Sequence, residues 1–508
     1  MFNVILFTDV TDNIVSIPAI GAYKCAHVLR KNNFSCLVVN HLNDWTITEL
    51  RALLDIAIDN STLLVGFSNS FYRKVVKSEN NSGPTIMEDI NTDSVFPQGF
   101  DFENEVISFI RCKNKNIKTV VGGNKAHSMI SNKNIDYVCI GYSEISIVNL
   151  ANHLHSGQPL NNSTKNIFGR IIIDDRFAKS YHFSSEDMEW LDIDVVNHKC
   201  LPIEIGRGCI FKCKFCSYPM NGKQALDFVK QPELLYKELS DNFEKFGISN
   251  YMIVDDTFND HEEKLNSILS VTKRLKFQPK FWGYHRLDLL CTRPDTVHTL
   301  YELGIRSMYF GIETLNLETG RIIGKGFDRA KQISRIEYLK NTYPDLSLHG
   351  SFIVGLPKES ISQVTNTYNQ LMNQTIPLDS WFVQYMKIFK PSMNSYPSEI
   401  SLDYEKYGYL DAGTEKNSNL INWKNEYMDY QTAKMISMDF MRESQISSVM
   451  KLPGNLAIQL TTLGYDLLSA TKILNKDFDF NKVEMSIRPS FVKEYKQTLL
   501  KLLSIDSN

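Results

Sequence analysis

Short apolar runs of strand length, each separated from the next by a stretch with helical spacing, recur in two series along this chain. The first series holds "FNVILFT" (2–8), "SCLVVN" (35–40), "STLLVGFS" (61–68), "IKTVVGG" (117–123) and "IDYVCIG" (135–141), with the helical pattern "PAIGAYKCAHVLRKN" (18–32) between the first two. A strand that reads as continuously apolar is buried on both faces. Strands of that kind alternating with helices predict a parallel, doubly wound sheet. Glycines at the strand ends, Gly66, Gly122, Gly123 and Gly141, fall where such sheets bind ligands. The polar stretch "SENNSGPTIMEDINTDSVFPQ" (78–98) reads as a surface loop.

The second series begins at Leu201 and holds six strand candidates: "LPIEIG" (201–206), "NYMIVDD" (250–256), "KFWGYHRLD" (280–288), "RSMYFGIET" (306–314), "LSLHGSFIVG" (346–355) and "SWFVQYMKIF" (380–389). Helical segments such as "QPELLYKELSDNFEKFG" (231–247) and "ESISQVTNTYNQLMN" (359–373) separate them. Serial βα units close, or partly close, into a barrel whose functional groups gather at the C-terminal strand ends. The fold class is therefore α/β. It comprises an N-terminal Rossmann-like parallel sheet (1–150), a connector (151–195), a central partial (β/α)6 TIM-like barrel (196–395) and a mostly helical C-terminal domain (396–508). A chain of 508 residues has room for several such cores.

The bulk properties exclude little beyond the obvious. A formal charge of −3 gives no reason to expect a nucleic-acid partner, and no apolar run approaches the ~18 residues of a membrane span. The start, "MFNVILFTDV", lacks a basic n-region and reads as a first strand rather than a leader. Nine cysteines, an odd number with three in one cluster, fit a reducing cytoplasm better than a disulfide framework.

That cluster carries the chemistry. In "EIGRGCIFKCKFCSYPMNGK" (204–223), Cys209, Cys213 and Cys216 follow the first barrel strand in a loop that Gly206 and Gly208 keep open. Thiolates so spaced can converge on one inorganic centre, and zinc and iron–sulfur clusters both take soft sulfur ligands. Zinc would need a fourth ligand, for which Cys200 is the nearest cysteine. Six extended residues at about 3.3 Å each would hold it roughly 20 Å away. Three thiolates on a 4Fe–4S cluster instead leave one iron open to a substrate or cofactor.

CxxxCxxC directly after a first barrel strand, with Phe215 before the third cysteine, resembles the radical S-adenosylmethionine superfamily. The resemblance covers 196–395. It implies a 4Fe–4S cluster on Cys209, Cys213 and Cys216 as metal ligands and catalytic centre, and S-adenosylmethionine bound at the open iron. Reductive cleavage of the sulfonium would give methionine and a 5′-deoxyadenosyl radical that attacks a C–H bond. Later strand ends match the family's cofactor contacts in order. "VDDTFN" (254–259) offers Asp255 or Asp256 to the cofactor ammonium, with a helix N-cap as the plainer alternative. In "GYHRLD" (283–288), Arg286 is expected to fork onto the methionine carboxylate. "YFGIET" (309–314) presents Glu313 and Thr314 to the ribose or the methionine end. "GSFIVGLPKE" (350–359) is close to GxIxGxxE. Ser351, Ile353 and Gly355 there share one strand face, Ile353 packing on adenine and Gly355 permitting close backbone approach.

The N-terminal part, through "TVVGGNKAH" (119–127) and "IDYVCIGYSE" (135–144), resembles the cobalamin-binding domain that often precedes this barrel. Ser68, Gly122 and Gly123 match positions flanking the corrin and its tail. The DxHxxG motif with a cobalt-ligating His is absent near Asp9 and Asp12, so cobalamin stays an open alternative to a sheet that has lost its ligand. With cobalamin the implied outcome is methyl transfer; without it, rearrangement or another radical modification. A non-catalytic zinc or iron–sulfur module is the rival from another class. The implied partners are a small-molecule or peptide substrate and an external electron donor of flavodoxin or ferredoxin type, with no membrane. Trp282 and Tyr284, on the face of Arg286, line either the substrate cavity or the barrel core, and Cys291 follows near the expected active face.

Overall fold

The computed structural model describes residues 2–9, 17–68, 103–123, 126–130, 132–160, 164–174, 183–218, 228–391, 397–413, 420–446 and 480–505. The expected loop at 78–98 and Asp12 lie outside the described residues. The chain divides into two compact units, the first built from 1–181, 188–198 and 481–508, the second from 182–187 and 199–480.

The first unit holds a seven-stranded sheet of β1 (Val4–Phe7), β2 (Cys36–Val39), β3 (Leu64–Ser68), β4 (Lys118–Gly123), β5 (Tyr137–Ile140), β6 (Thr164–Ile167) and β7 (Arg170–Asp174). Their order is β2-β1-β3-β4-β5-β7-β6, parallel throughout except for the antiparallel β6–β7 pair. The first five strands, all but completely buried, are the apolar runs legible in the sequence. Helices start where local chemistry starts them. The Thr46 hydroxyl accepts from the Glu49 amide at 3.2 Å, and the Glu49 carboxylate accepts from the Thr46 amide at 2.8 Å, a reciprocal cap for helix Ile47–Ala57.

The stretch 151–195 does not stand apart as a connector. It supplies β6 and β7 to this sheet, and Asp194 takes both forks of Arg30, at 2.5 and 2.9 Å, from helix Ile20–Lys31. Nor is 396–508 one helical domain. Helix Phe480–Ile505 belongs to the first unit, where the Asn40 amide donates to the Tyr495 hydroxyl at 3.0 Å and Lys496 meets Glu49 at 2.6 Å. Helix Tyr430–Ile446 packs instead on the second unit. These partnerships join residues remote in sequence, which local periodicity does not encode.

The second unit is a six-stranded, all-parallel sheet of β8 (Cys200–Ile203), β9 (Asn250–Ile253), β10 (Lys280–His285), β11 (Ile305–Glu313), β12 (Ser347–Val354) and β13 (Ser380–Tyr385). Its strands stand in simple sequence order with β8 and β13 at the edges, so the curved sheet is an open half barrel. The intervening helices are bounded as their sequences dictate. Pro232 opens helix Pro232–Phe246 at its first turn, where a missing amide costs nothing, and Gly247 ends it at φ 68°. With every crossover helical, all six C-terminal strand ends emerge on one side.

Candidate active site

The cysteine loop leaves β8 at the C-terminal side and is held there by a buried ion cluster. Asp255, just past β9, accepts the Ile205 amide at 2.8 Å and a second bond from the Gly206 amide. Its other oxygen lies 3.2 Å from the Lys264 ammonium, which also meets Asp260 at 2.9 Å and the Thr257 carbonyl at 3.2 Å. All three charged side chains are almost wholly out of water, and the one ammonium offsets part of the charge of the two carboxylates. A Cβ on Gly206 would stand 3.0 Å from Asp255 Oδ2 and 3.3 Å from Lys264 Nζ, so this close approach requires glycine. Burial pushes the Asp255 carboxyl up while Lys264 pulls it down.

Of the two acidic candidates, then, Asp255 is committed to the loop. Asp256 is the half-buried one, and its carboxyl is pushed up to about 7 by burial and then by the negative charges of Asp255 and Glu204.

The three thiols sit in different surroundings. Cys209 is buried, 3.4 Å from the Thr257 hydroxyl, and burial raises its pKa. Cys213 and Cys216 are half-buried, joined by a 3.0 Å bond from the Cys216 amide to the Cys213 carbonyl. The loop is clamped from outside by a 3.0 Å bond from the Lys214 amide to Ile323 O and by Gly324, whose φ of 81° brings it against Cys213. Arg286 places Nη1 3.4 Å from Cys213 Sγ and lies 3.8 Å over the Phe211 ring.

Arg286 differs from expectation in one respect. Its fork is on Asp288, at 3.0 and 2.5 Å, two residues along the same chain, so no second fork faces a cofactor carboxylate. Cys200 pairs with Asn250 at the foot of β9, whereas Cys209 meets Thr257 beyond its top, which puts them at opposite ends of the sheet. Among the described residues no three His, Cys, Asp or Glu side chains are gathered closely enough for a single metal ion.

The remaining strand ends form the rim. A bulge between Gly311 and Glu313 turns Glu313 to φ 63°, where it meets Lys325 at 2.8 Å; Lys325 also donates to the Gly311 carbonyl at 2.6 Å. The Thr314 hydroxyl bonds the buried Glu359, whose carboxyl burial pushes up to about 7. Glu313 and Thr314 are thus tied to protein partners. Lys325 and Glu359 are rim residues with no role assigned from sequence; "GKG" marks the first, while the second lies one residue past Lys358, which occupies the last position of GxIxGxxE.

Ser351 and Ile353 lie half-buried on one face of β12, as alternation requires. Gly355 needs correcting. Its φ is 88°, and a Cβ there would come within 2.5 Å of the Trp423 ring, so the close approach it permits is by Trp423. Cys291 also departs from expectation. It lies among the outer helices in a groove of about 680 Å³ with His298, Lys331 and Arg335, away from the strand ends, and burial pushes its thiol up to about 11.

In the first unit, the order β2-β1-β3-β4-β5 reverses direction between β1 and β3, the switch point at which doubly wound sheets hold ligands beyond their C-terminal ends. Ser68 stands opposite Gly122 in the β3–β4 register, and Gly123 follows at φ 114°. A Cβ on Gly122 would already reach the Ser143 hydroxyl at 3.4 Å. The three residues singled out from sequence therefore lie together at one sheet edge.

Residues 203–371 match the radical SAM superfamily, and the half barrel with its cysteine loop is a domain of that class. That match covers about a third of the chain. Among curated relatives it is 30% identical over 176 residues to an uncharacterized methyltransferase of Pyrococcus horikoshii, covering 32% of this chain and 34% of that one. It is 28% identical over 147 residues to the bacteriochlorophyllide d C-8(2)-methyltransferase of Chlorobaculum tepidum, covering 27% and 32%. The chain thus matches about a third of each relative's length. Two solved structures share its fold across both units. OxsB, with aqua-cobalamin and S-adenosylmethionine bound, superposes with a TM-score of 0.63 at 14% identity over 99% of this chain and 72% of that one. TsrM of Kitasatospora setae, with cobalamin and a 4Fe–4S cluster bound, gives 0.57 at 14% over 82% of each. At such identity the likeness is one of fold. Among the described residues no helix is long and apolar enough to cross a membrane.

Proposed function

We propose that this protein is a radical S-adenosylmethionine enzyme that also holds cobalamin, and that it methylates an unactivated carbon or phosphorus centre of a small molecule. The observation that carries the reading is the loop at the C-terminal end of β8, which holds Cys209, Cys213 and Cys216 while Cys200 sits at the opposite end of the sheet. Cys209, Cys213 and Cys216 would hold the cluster. The soft donor set, the Arg286 guanidinium beside Cys213 and the Thr257 hydroxyl beside Cys209 all fit such a group. Bound there, the cluster and S-adenosylmethionine supply one-electron cleavage of the sulfonium.

The chain's own residues do the positioning. Asp255 and Lys264 fix the start of the loop, while Asp256 offers an acceptor to an ammonium group. The Glu313–Lys325 and Thr314–Glu359 pairs set the rim, and Ile353 offers an apolar wall. In the first unit, Ser68, Gly122 and Gly123 at the C-terminal ends of β3 and β4, beside the switch point, would take the cobalamin. The fold shared with OxsB and TsrM, both solved with cobalamin bound, supports this assignment. An external donor of flavodoxin or ferredoxin type would supply electrons in a reducing cytoplasm.

The test is anaerobic purification of the full chain, followed by incubation with dithionite and S-adenosylmethionine. The reading predicts a brown protein with co-purifying cobalamin that releases 5′-deoxyadenosine. Cys213→Ala loses both iron and product while keeping its circular dichroism. Retained cleavage in that variant would falsify the assignment, and a cobalamin-free protein that still cleaves would leave a cobalamin-independent radical modification.

A further inference from the structure

The half barrel presents two faces of different character. On one, Tyr251 donates to the Ile248 carbonyl at 3.0 Å, His285 packs on Phe258 and Phe310, and Trp381 donates to Ser444 of helix Tyr430–Ile446 at 2.9 Å. These contacts put them on the helix-covered side. Side chains alternate along a strand, so Trp282, Tyr284, Tyr309, His349 and Phe382 face the concave side.

There they form a run of rings across neighbouring strands. Tyr284 and Trp282 on β10 lie 5.9 and 6.1 Å from Tyr309 on β11, which stacks on His349 of β12 at 4.5 Å and 14°. Phe382 of β13 continues the wall, opposite Ser351 in register. The lower rings are closed off, but Tyr284 is 49% and Phe382 40% exposed. With the exposed Gln384 and the half-buried Tyr309, Ser351 and Ile353 on the same face, these two rings belong to an open surface rather than to a buried core.

The electrostatics narrow the ligand. Both His349 nitrogens are engaged, by the Ser347 and Ser380 hydroxyls at 2.6 and 2.5 Å, and burial brings its pKa down to about 4, so this ring is neutral near pH 7. Two cations at the neighbouring strand ends are already paired, Arg286 with Asp288 and Lys325 with Glu313. A phosphate or carboxylate would have to break one of those pairs. Aromatic faces bind other ring systems through offset or edge contacts. Sugars also stack on rings, but they need a hydrogen-bond partner for each hydroxyl. This wall offers the half-buried Ser351 hydroxyl, the phenols of Tyr284 and Tyr309 and the exposed Gln384 amide, which stands opposite Ile353, fewer groups than a sugar's hydroxyls call for. An amide that donates and accepts suits a ring nitrogen beside a carbonyl.

We infer that the concave face receives a flat, uncharged heteroaromatic substrate, stacked on the Tyr284–Tyr309 run and Phe382 and oriented by Gln384. This inference rests on the reading that this face opens onto the radical chemistry proposed above.

The test compares quinolin-2-one with its fully saturated counterpart, which keeps the lactam but has no aromatic ring. Binding to the anaerobically reconstituted full chain is followed by isothermal titration. The inference expects at least tenfold tighter binding of quinolin-2-one. Tyr284→Leu and Phe382→Leu are each expected to weaken it severalfold at unchanged melting temperature, and Gln384→Leu to weaken both ligands alike. Equal binding of the two lactams, preference for methyl glucoside over both, or indifference to Tyr284→Leu and Phe382→Leu together would overturn it. 5′-Deoxyadenosine release is measured on the same preparations. Failure of selective binding with release intact sinks the substrate class alone, whereas absence of cluster and release sinks the functional reading whatever binds.

Discussion

Replacing Lys264 by methionine keeps most of the side-chain volume and removes one charge from a site almost wholly out of water. The ammonium sits 3.2 Å from Asp255 and 2.9 Å from Asp260, so the change leaves two buried carboxylates facing each other without a cation. Breaking a buried pair by deleting one partner costs about 3–5 kcal/mol. At ~1.4 kcal/mol per tenfold, that is a shift of roughly 10²–10⁴ in the folding equilibrium of the half barrel. At ~2.1 cal/mol/K of unfolding entropy per residue, it corresponds to a loss of about 5–8 °C in Tm for a unit of this size. The consequence reaches the cluster because Asp255 holds the Ile205 and Gly206 amides at the start of the cysteine loop. Iron content after anaerobic reconstitution is therefore expected to fall along with Tm. Asp255→Asn is the control. It keeps an acceptor for the Ile205 amide and leaves Lys264 paired with Asp260, so it should cost less than Lys264→Met. A Lys264→Met protein within about 1 kcal/mol of wild type, the range of a surface ion pair, with full iron content, would refute the idea that this ion cluster organises the loop.

Two further perturbations follow from the rim. Gly355→Ala forces a residue with a Cβ into φ 88° and puts that carbon 2.5 Å from the Trp423 ring, so a loss of about 1–3 kcal/mol in thermal melting is expected. Trp423→Ala should not restore stability, since the backbone strain persists and the buried ring is lost. Glu359 titrates near 7 in the folded protein against about 4.3 unfolded, so the folded state binds the extra proton and the stability it confers is lost as pH rises from about 4.3 through 7. Glu359→Gln should remove up to roughly 3 kcal/mol of that decline between pH 5 and 8, read as a flatter urea-midpoint profile than wild type. An unchanged slope would mean that Glu359 is not the titrating group.

The sequence was most legible where chemistry is local. The apolar runs marked all five leading strands of the first sheet and all six of the half barrel, because a strand buried on both faces has little freedom in composition. Glu313 stands at the end of β11, and Ser351 and Ile353 lie toward the end of β12. What escaped was partnership. Nothing in "GSFIVGLPKE" announces that Trp423 fills the space Gly355 leaves open, or that helix Phe480–Ile505 belongs with the first unit. Arg286 looked free for a ligand, although Asp288, its partner, stands two residues away in "HRLD". Lys264 carried a signal that could have been read. In "EEKLNSILSVT" it lies on the stripe of Leu265, Ile268 and Val271, and a lysine on an apolar stripe implies a buried counter-charge.

The account stands most directly on electron paramagnetic resonance of the dithionite-reduced protein, recorded with and without S-adenosylmethionine. It predicts the spectrum of a reduced 4Fe–4S cluster whose g-values change when S-adenosylmethionine is added, as an iron open to a ligand requires. A spectrum indifferent to the addition, or a protein that carries one tightly held zinc and no iron, would contradict it.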